Sequence, residues 1–226
     1  MRIALIHALR HSVEPAEEAF HRLWPTATVQ NILDDSLSAD LARAGALTPA
    51  MTYRFLVLAR YAVQSGADGI LFTCSAFGPC IDACKAALSP LPVLKPNEAM
   101  IDDAIASGSR IGLLATFAPT LASMPDEFVA VRPSIKVVPK LAEGALEAMN
   151  AGDVEQHDAL AVAAAAELNG CDVIALAQFS LARASPAIGR ATRKRVLTTP
   201  DSAVNRMRSL LSAQAAHETF SPTNLS

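Results

Sequence analysis

The chain has 226 residues, 51% of them hydrophobic, 18% charged and 5% aromatic, with a formal net charge of −3. That length suits one large domain or two of roughly 100–120 residues, with apolar content enough for a substantial core. The mild acidity and few aromatics argue against a nucleic-acid stripe or base-stacking platform, and no apolar stretch approaches the ~20 residues of a membrane span.

In chain order, Met1-Arg2-Ile3-Ala4-Leu5-Ile6 reads as a strand rather than a secretory leader. His7 ends it and His11 follows in the same loop, and Val29–Leu33 reads as a second strand. Thr48-Pro49 is an N-cap with Pro at the first helical position; the helix it opens places Met51, Phe55, Leu58 and Ala62 on one face, and Gly66 follows it. Next comes Gly66-Ala67-Asp68, then the apolar run Gly69-Ile70-Leu71-Phe72, then Thr73-Cys74-Ser75. Pro79 suits the first position of the following helix, whose Cys80 and Cys84 share a face. Pro92-Val93-Leu94 is a short strand before Pro96-Asn97-Glu98-Ala99-Met100. A second series follows: strand Arg110–Ala115, a loop with Thr116, Pro119 and Thr120, and strand Ile135–Val138. Asp153 caps a Val154–Leu168 helix that Asn169-Gly170 can end. Beyond it lie Gly170-Cys171-Asp172, a strand running to Gln178, and Arg195-Val196-Leu197. From about residue 212 the chain turns polar, which predicts a frayed tail over 212–226.

The second series copies the first. Residues 66–75 align without gaps against 170–179, Arg2–His7 resembles Arg110–Ala115, and Pro92–Met100 resembles Arg195–Val204. The offset stays between 103 residues, for Pro92 against Arg195, and 108, for Arg2 against Arg110. Short apolar runs bounded by turns are the pattern of buried parallel strands. The chain therefore reads as an α/β protein of two pseudo-twofold-related, Rossmann-like lobes. Each has a short, mainly parallel four-stranded sheet flanked by helices. Lobe one spans residues 1–100, with a C-terminal helix at about 200–211 returning to it, and lobe two spans 101–199. Ligands of open parallel sheets bind beyond the carboxyl ends of the strands, so an active-site cleft is expected between the lobes.

The copies differ where chemistry would sit. Cys74 ends the strand of the first and Gln178 holds the matching place in the second. A thiol near a helix N-terminus is expected to have its pKa lowered, and neighbouring N–H groups with Ser75 can hold a carboxylate. The alternative is a buried cysteine acting as a small hydrophobe. His7 can serve as a base, a substrate anchor or a partner to the thiolate, or simply hydrogen-bond within its loop; His11 is a weaker candidate of the same kind. Thr116 and Thr120 suit a carboxylate but equally cap a helix. Arg10, Lys95 and Arg183 can neutralise an anion or lie solvated at the surface. Cys80 and Cys84 match no zinc spacing and read as core, and Cys171 reads as structural. No metal site and no cofactor is implied, since no Gly-rich phosphate loop follows the first strand.

With the duplicated Gly-X-Asp-strand pattern, the Thr73-Cys74-Ser75 turn and the Ile111-Gly112-Leu113-Leu114-Ala115-Thr116 strand in view, the chain resembles the aspartate/glutamate racemase superfamily over about residues 2–211. That resemblance implies cofactor-independent chemistry on small anionic substrates, as in amino-acid and hydantoin racemases, maleate isomerase and arylmalonate decarboxylase. The superfamily's racemases carry Cys-Asn-Thr in the first copy and Gly-Cys-Thr in the second. Here Cys74 is followed by Ser75-Ala76, and Gln178 stands at the second cysteine. His7-Ala8 replaces a polar pair after the first strand. The resemblance points to Cys74 as catalytic, and position at the strand ends adds His7 as a catalytic candidate, with Ser75, Ala76, Thr116, Thr120, Gln178 and Ser180 as substrate-binding candidates. A cytoplasmic location and a homodimer are further expectations.

Two-base racemisation needs an acid/base group on each side of the carbon, and glutamine cannot be one. Three readings stay open. The chain is a one-thiol isomerase or lyase, a racemase with His7 or another residue as second base, or a ligand-binding relative without catalysis.

Overall fold

The computed structural model describes residues 1–220, with side chains to residue 216. The chain divides into two units, one of Met1–Pro96 with the chain from Ala203 onward, the other of Asn97–Ser202.

The first unit contains strands β1 (Arg2–His7), β2 (Thr28–Leu33), β3 (Gly69–Phe72) and β4 (Val93–Leu94), all parallel, in the order β2-β1-β3-β4. Its helices are α1 (Val13–Leu23), α2 (Ser36–Ala44), α3 (Pro49–Gln64) and α4 (Gly78–Leu88). Parallel neighbours cannot be joined by a tight turn, so helices carry the chain back between strands. The second unit contains α5 (Glu98–Ser107), β5 (Arg110–Ala115), α6 (Ala118–Val131), β6 (Lys136–Leu141), α7 (Ala145–Asn150), α8 (Val154–Ala166), β7 (Val173–Leu176), α9 (Ser185–Thr192) and β8 (Arg195–Thr198). Its sheet repeats the topology as β6-β5-β7-β8, again all parallel.

The duplicated Gly-X-Asp turn has a defined task in each unit. Asp68 accepts the backbone N–H of Arg2 at 2.7 Å, and Asp172 accepts those of Ser109 and Arg110 at 2.8 and 2.9 Å. Each aspartate thereby fixes the start of the first strand of its sheet, and the Arg110 and Ser109 N–H groups hold the Asp172 carboxyl below its ordinary pKa. Gly66 has φ +81, the left-handed conformation that ends α3 and that a side chain disfavours.

Burial follows position in the sheet. β3 and β7 are buried throughout and β1 and β5 nearly so, whereas the edge strands β2 and β6 are half exposed, contrary to the uniform burial predicted. Alternating side chains serve both faces, so Leu113 packs with Met124 and Phe128 while Leu114 packs with Ala161 and Ile174. In the first unit Phe55 stacks on Phe72 with ring centroids 5.3 Å apart and meets Phe77 at 4.9 Å. Burying each such ring contributes about 1.5–3 kcal/mol.

The Thr48 side chain accepts the Met51 N–H, and that of Asp153 accepts the Gln156 N–H. The buried face of α3 is Met51, Phe55, Ala59 and Ala62, with Leu58 one step off it. Helix α10 (Thr199–Phe220) runs on through residues 212–220, where the sequence predicts a frayed tail. Alanines favour helix there, and Gln214 donates to the Pro90 carbonyl at 3.0 Å. The rest of that tail, residues 221–226, lies outside the described residues.

Candidate functional site

At the carboxyl end of β3 the Thr73 N–H still donates to the Ile6 carbonyl, at 3.1 Å, and Cys74 follows in extended conformation. A single 3-10 turn, Ser75–Phe77, then separates Cys74 from α4. Cys74 is half-buried, packed against the core that holds Ala8, Phe72 and Phe77, while Ser75 and Ala76 are exposed. Burial pushes the thiol pKa up, and a hydrogen bond from the Ala76 N–H offsets only part of that. The lowered pKa predicted from a helix dipole is thus corrected. The intervening turn keeps the thiol off the end of α4, and desolvation outweighs the one N–H it meets. Cys74 rests as a thiol at neutral pH.

His7 ends β1 and is fully buried. Its Nε2 lies 3.0 Å from Asn31 Oδ1, and the Asn31 amide donates to Glu17 at 2.5 Å. Its Nδ1 lies 3.0 Å from the Ser12 hydroxyl and 2.9 Å from that of Thr73, and those hydroxyls are 2.9 Å apart. Ser12 also donates to the Leu9 carbonyl at 2.8 Å. Burial lowers the His7 pKa, against smaller opposing effects of Asn31 and Glu17. The β1–β3 register pairs Ile6 with Phe72, so by continuation His7 stands beside Thr73 and Ala8 beside Cys74. The structure therefore brings His7 to Thr73 rather than to the thiol.

In the second unit the β5–β7 register pairs Leu114 with Leu176, which carries Thr116 to Gln178 by the same continuation. Thr116 donates its N–H and its hydroxyl to Gln178 Oε1, at 2.6 and 3.0 Å. Both donors need an acceptor, so Oε1 is fixed on Thr116 and the NH2 group is turned away from it. Ser180 is half-buried in the 3-10 turn Phe179–Ala184. Thr120, read from the sequence as a loop residue, lies in the first turn of α6, its N–H donating to the Phe117 carbonyl at 3.1 Å.

The remaining candidates fall outside these clusters. Cys80, Cys84 and Cys171 are buried and free, and burial with the nearby Cys80 pushes Cys84 up to about 12. Arg10 pairs with Asp35 at 2.6 Å, Lys95 with Asp82 at 2.7 Å and Arg183 with Asp158 at 3.1 Å, so each of these cations faces a carboxylate of its own unit. His11 is exposed. Among the described residues no group of three or more His, Cys, Asp or Glu is placed to hold a metal ion, and no helix is long and apolar enough to cross a membrane. Sequence reasoning missed Ser12, Asn31 and Glu17; the polar pair Gln30-Asn31 inside the second strand is their only trace.

The profile of the Asp/Glu/Hydantoin racemase family matches residues 16–207. The chain belongs to that family. No curated protein matches its sequence. Among solved structures, a glutamate racemase isoform from Bacillus anthracis superposes with TM-score 0.71 at 14% identity, covering 94% of this chain and 82% of that one. Allantoin racemase from Klebsiella pneumoniae gives 0.70 at 20% identity, covering 95% and 89%. A mutant arylmalonate decarboxylase in a sulfate-associated form gives 0.66 at 19% identity, covering 94% of each chain. At such identities these likenesses speak for the fold. The two racemases and the decarboxylase share this chain's α/β fold.

Proposed function

We propose that this family member is a cofactor-independent, cytoplasmic enzyme that moves one proton at the carbon alpha to a carboxylate, through the Cys74 thiol. The observation that carries the reading is the contrast between the two sheets. A half-exposed thiol follows β3, whereas an amide, Gln178, holds the equivalent place after β7. The substrate is a small carboxylate or an amino-acid-like anion. The exposed Ser75 and Ala76 offer a hydroxyl and backbone groups beside the thiol. Four free cysteines suit a reducing compartment.

Isomerisation is the leading reaction, in keeping with the glutamate and allantoin racemases of the same fold. Full racemisation needs a second acid/base, and Gln178 does not supply it. Decarboxylation is the second reading, favoured by a thiol that rests protonated. There the bond to a departing carboxylate breaks and CO2 leaves with the bond's electrons left on the alpha carbon. The Cys74 S–H proton closes that carbon, and the thiolate is reprotonated from solvent.

The test is a panel of single-enantiomer amino acids, hydantoins, small dicarboxylates and arylmalonates in deuterated water, with native and Cys74→Ser protein. Turnover with label at the alpha carbon, lost in Cys74→Ser, supports the reading. Label with inversion marks racemisation, and CO2 release marks the lyase. Turnover that survives Cys74→Ser overturns it.

A further inference from the structure

The Glu17–Asn31–His7 chain runs from the surface of α1 across the edge strand β2 to the buried end of β1. Glu17 is exposed and its carboxylate oxygen accepts, so it takes the Asn31 NH2 and turns the Asn31 carbonyl toward His7. Nε2 of His7 must then carry a proton, which leaves Nδ1 as an acceptor in the neutral ring. Ser12 gives its single proton to the Leu9 carbonyl at 2.8 Å. With the Ser12 proton on Leu9, Thr73 is the remaining donor for Nδ1, so its hydroxyl serves Nδ1 at 2.9 Å rather than the Ser12 oxygen at 2.9 Å or the Ile6 carbonyl at 3.5 Å. Every proton in the cluster is assigned, and the direction runs from Thr73 to His7.

We propose that His7 is a positioning residue for Cys74, acting through the Thr73 hydroxyl, with Asn31 and Glu17 fixing the ring's tautomer. The inference rests on the reading of Cys74 as the reacting thiol. Thr73 is the last residue tied to β1 before the chain leaves the sheet, and Cys74 is the next. Alternation along the strand sends the Thr73 side chain to the His7 face and the thiol to the opposite face, with Ile6, Ala8 and Phe72. The ring thus acts through the backbone of the turn. Holding Thr73 fixes where the Ala76 N–H meets the sulfur, the one contact that favours the thiolate. Asn31 from β2, Ser12 from the 3-10 turn after β1 and Thr73 just past β3 are the polar groups the structure sets on this ring, and Glu17 of α1, behind Asn31, is the charged one.

The test uses the full chain and needs no substrate. Cys74 is alkylated with iodoacetamide at fixed pH and followed by peptide mass spectrometry, with buried Cys80, Cys84 and Cys171 as internal references. Thr73→Val is expected to slow Cys74 alkylation about fivefold, the worth of one net hydrogen bond, with Thr73→Ser restoring the native rate. In Glu17→Gln, a surface change that leaves folding intact, imidazole nitrogen NMR is expected to show the Nδ1–H tautomer gaining population. An unchanged or faster rate in Thr73→Val, no rescue by Ser, or an unmoved tautomer would overturn the proposal. Since alkylation is independent of turnover, an active enzyme with normal Thr73→Val alkylation sinks this inference alone. Turnover that survives Cys74→Ser sinks the proposed function while the alkylation result stands.

Discussion

Thr116 gives both its backbone N–H and its hydroxyl to one atom, Gln178 Oε1, at 2.6 and 3.0 Å. The glutamine is therefore a structural acceptor for the end of β5. Gln178→Leu leaves both donors of a nearly buried threonine without their partner. It is expected to cost about 1–3 kcal/mol in urea unfolding, the range for unsatisfied buried groups. Gln178→Glu keeps an acceptor oxygen and is expected to stay near the native stability. Equal midpoints for Leu and Glu would refute the assignment.

Gln178→Cys tests the missing acid/base from the other direction. If one thiol limits the native protein to proton transfer on one face, a second thiol at this position is expected to raise racemisation relative to other turnover. Chiral chromatography of a single-enantiomer substrate in deuterated water reads it, and an unchanged enantiomer ratio would count against the one-thiol account.

A thiol that burial keeps protonated makes a proton donor whose competence persists into alkaline solution. For Cys74 as the donor, kcat is expected to hold from neutral pH upward and to fall only above the ordinary thiol value of 9.0. Cys74→Ser is expected to lower kcat by about 10²–10⁴-fold, the usual worth of a positioned acid/base. A rate that instead climbs through pH 9 would identify the thiolate as the active form.

Cys84 provides a stability counterpart. Its folded value is about 12 against 9.0 when unfolded, so the unfolded chain loses the proton first as pH rises. The stability it contributes is complete below 9.0 and is lost between there and about 12. One proton per molecule corresponds to about 1.4 kcal/mol per pH step within that window. Urea midpoints at pH 8–10.5 are expected to fall less steeply in Cys84→Ala than in the native chain, and parallel slopes would contradict it.

The parts of this fold legible in the sequence are those set by local chemistry. Asp68 and Asp172 stand out beside their glycines because a strand start needs an acceptor there, and Thr48 and Asp153 because helix N–H groups do. Cys74 against Gln178 was legible because the repeat aligns them. Ala59 rather than Leu58 on the face of α3 depended on where the sheet lies, which periodicity over a short helix leaves open by one residue. The rise in the Cys74 pKa was illegible because burial is a tertiary property, and the sequence shows only the nearby helix. The His7 cluster draws on α1, β2 and β3, residues far apart in the chain, and no spacing announces it.

That cluster also gives the protein an acid limit. Burial holds the His7 pKa below its ordinary 6.5, so the neutral ring is favoured in the fold while the unfolded chain takes up a proton first as pH falls. The stability this contributes is complete above 6.5 and is lost as pH drops from there through the folded value. Below that, a protonated Nδ1 no longer accepts from Thr73, and the hydroxyl must turn to Ser12 or Ile6. His7→Gln, which cannot titrate, is expected to be less stable at pH 7.5 but to lose less stability on acidification to pH 5. Guanidinium unfolding at the two pH values, native against variant, measures the difference directly. An equal acid loss in both chains would show that His7 titrates alike folded and unfolded, and that the buried cluster is not what restrains its proton.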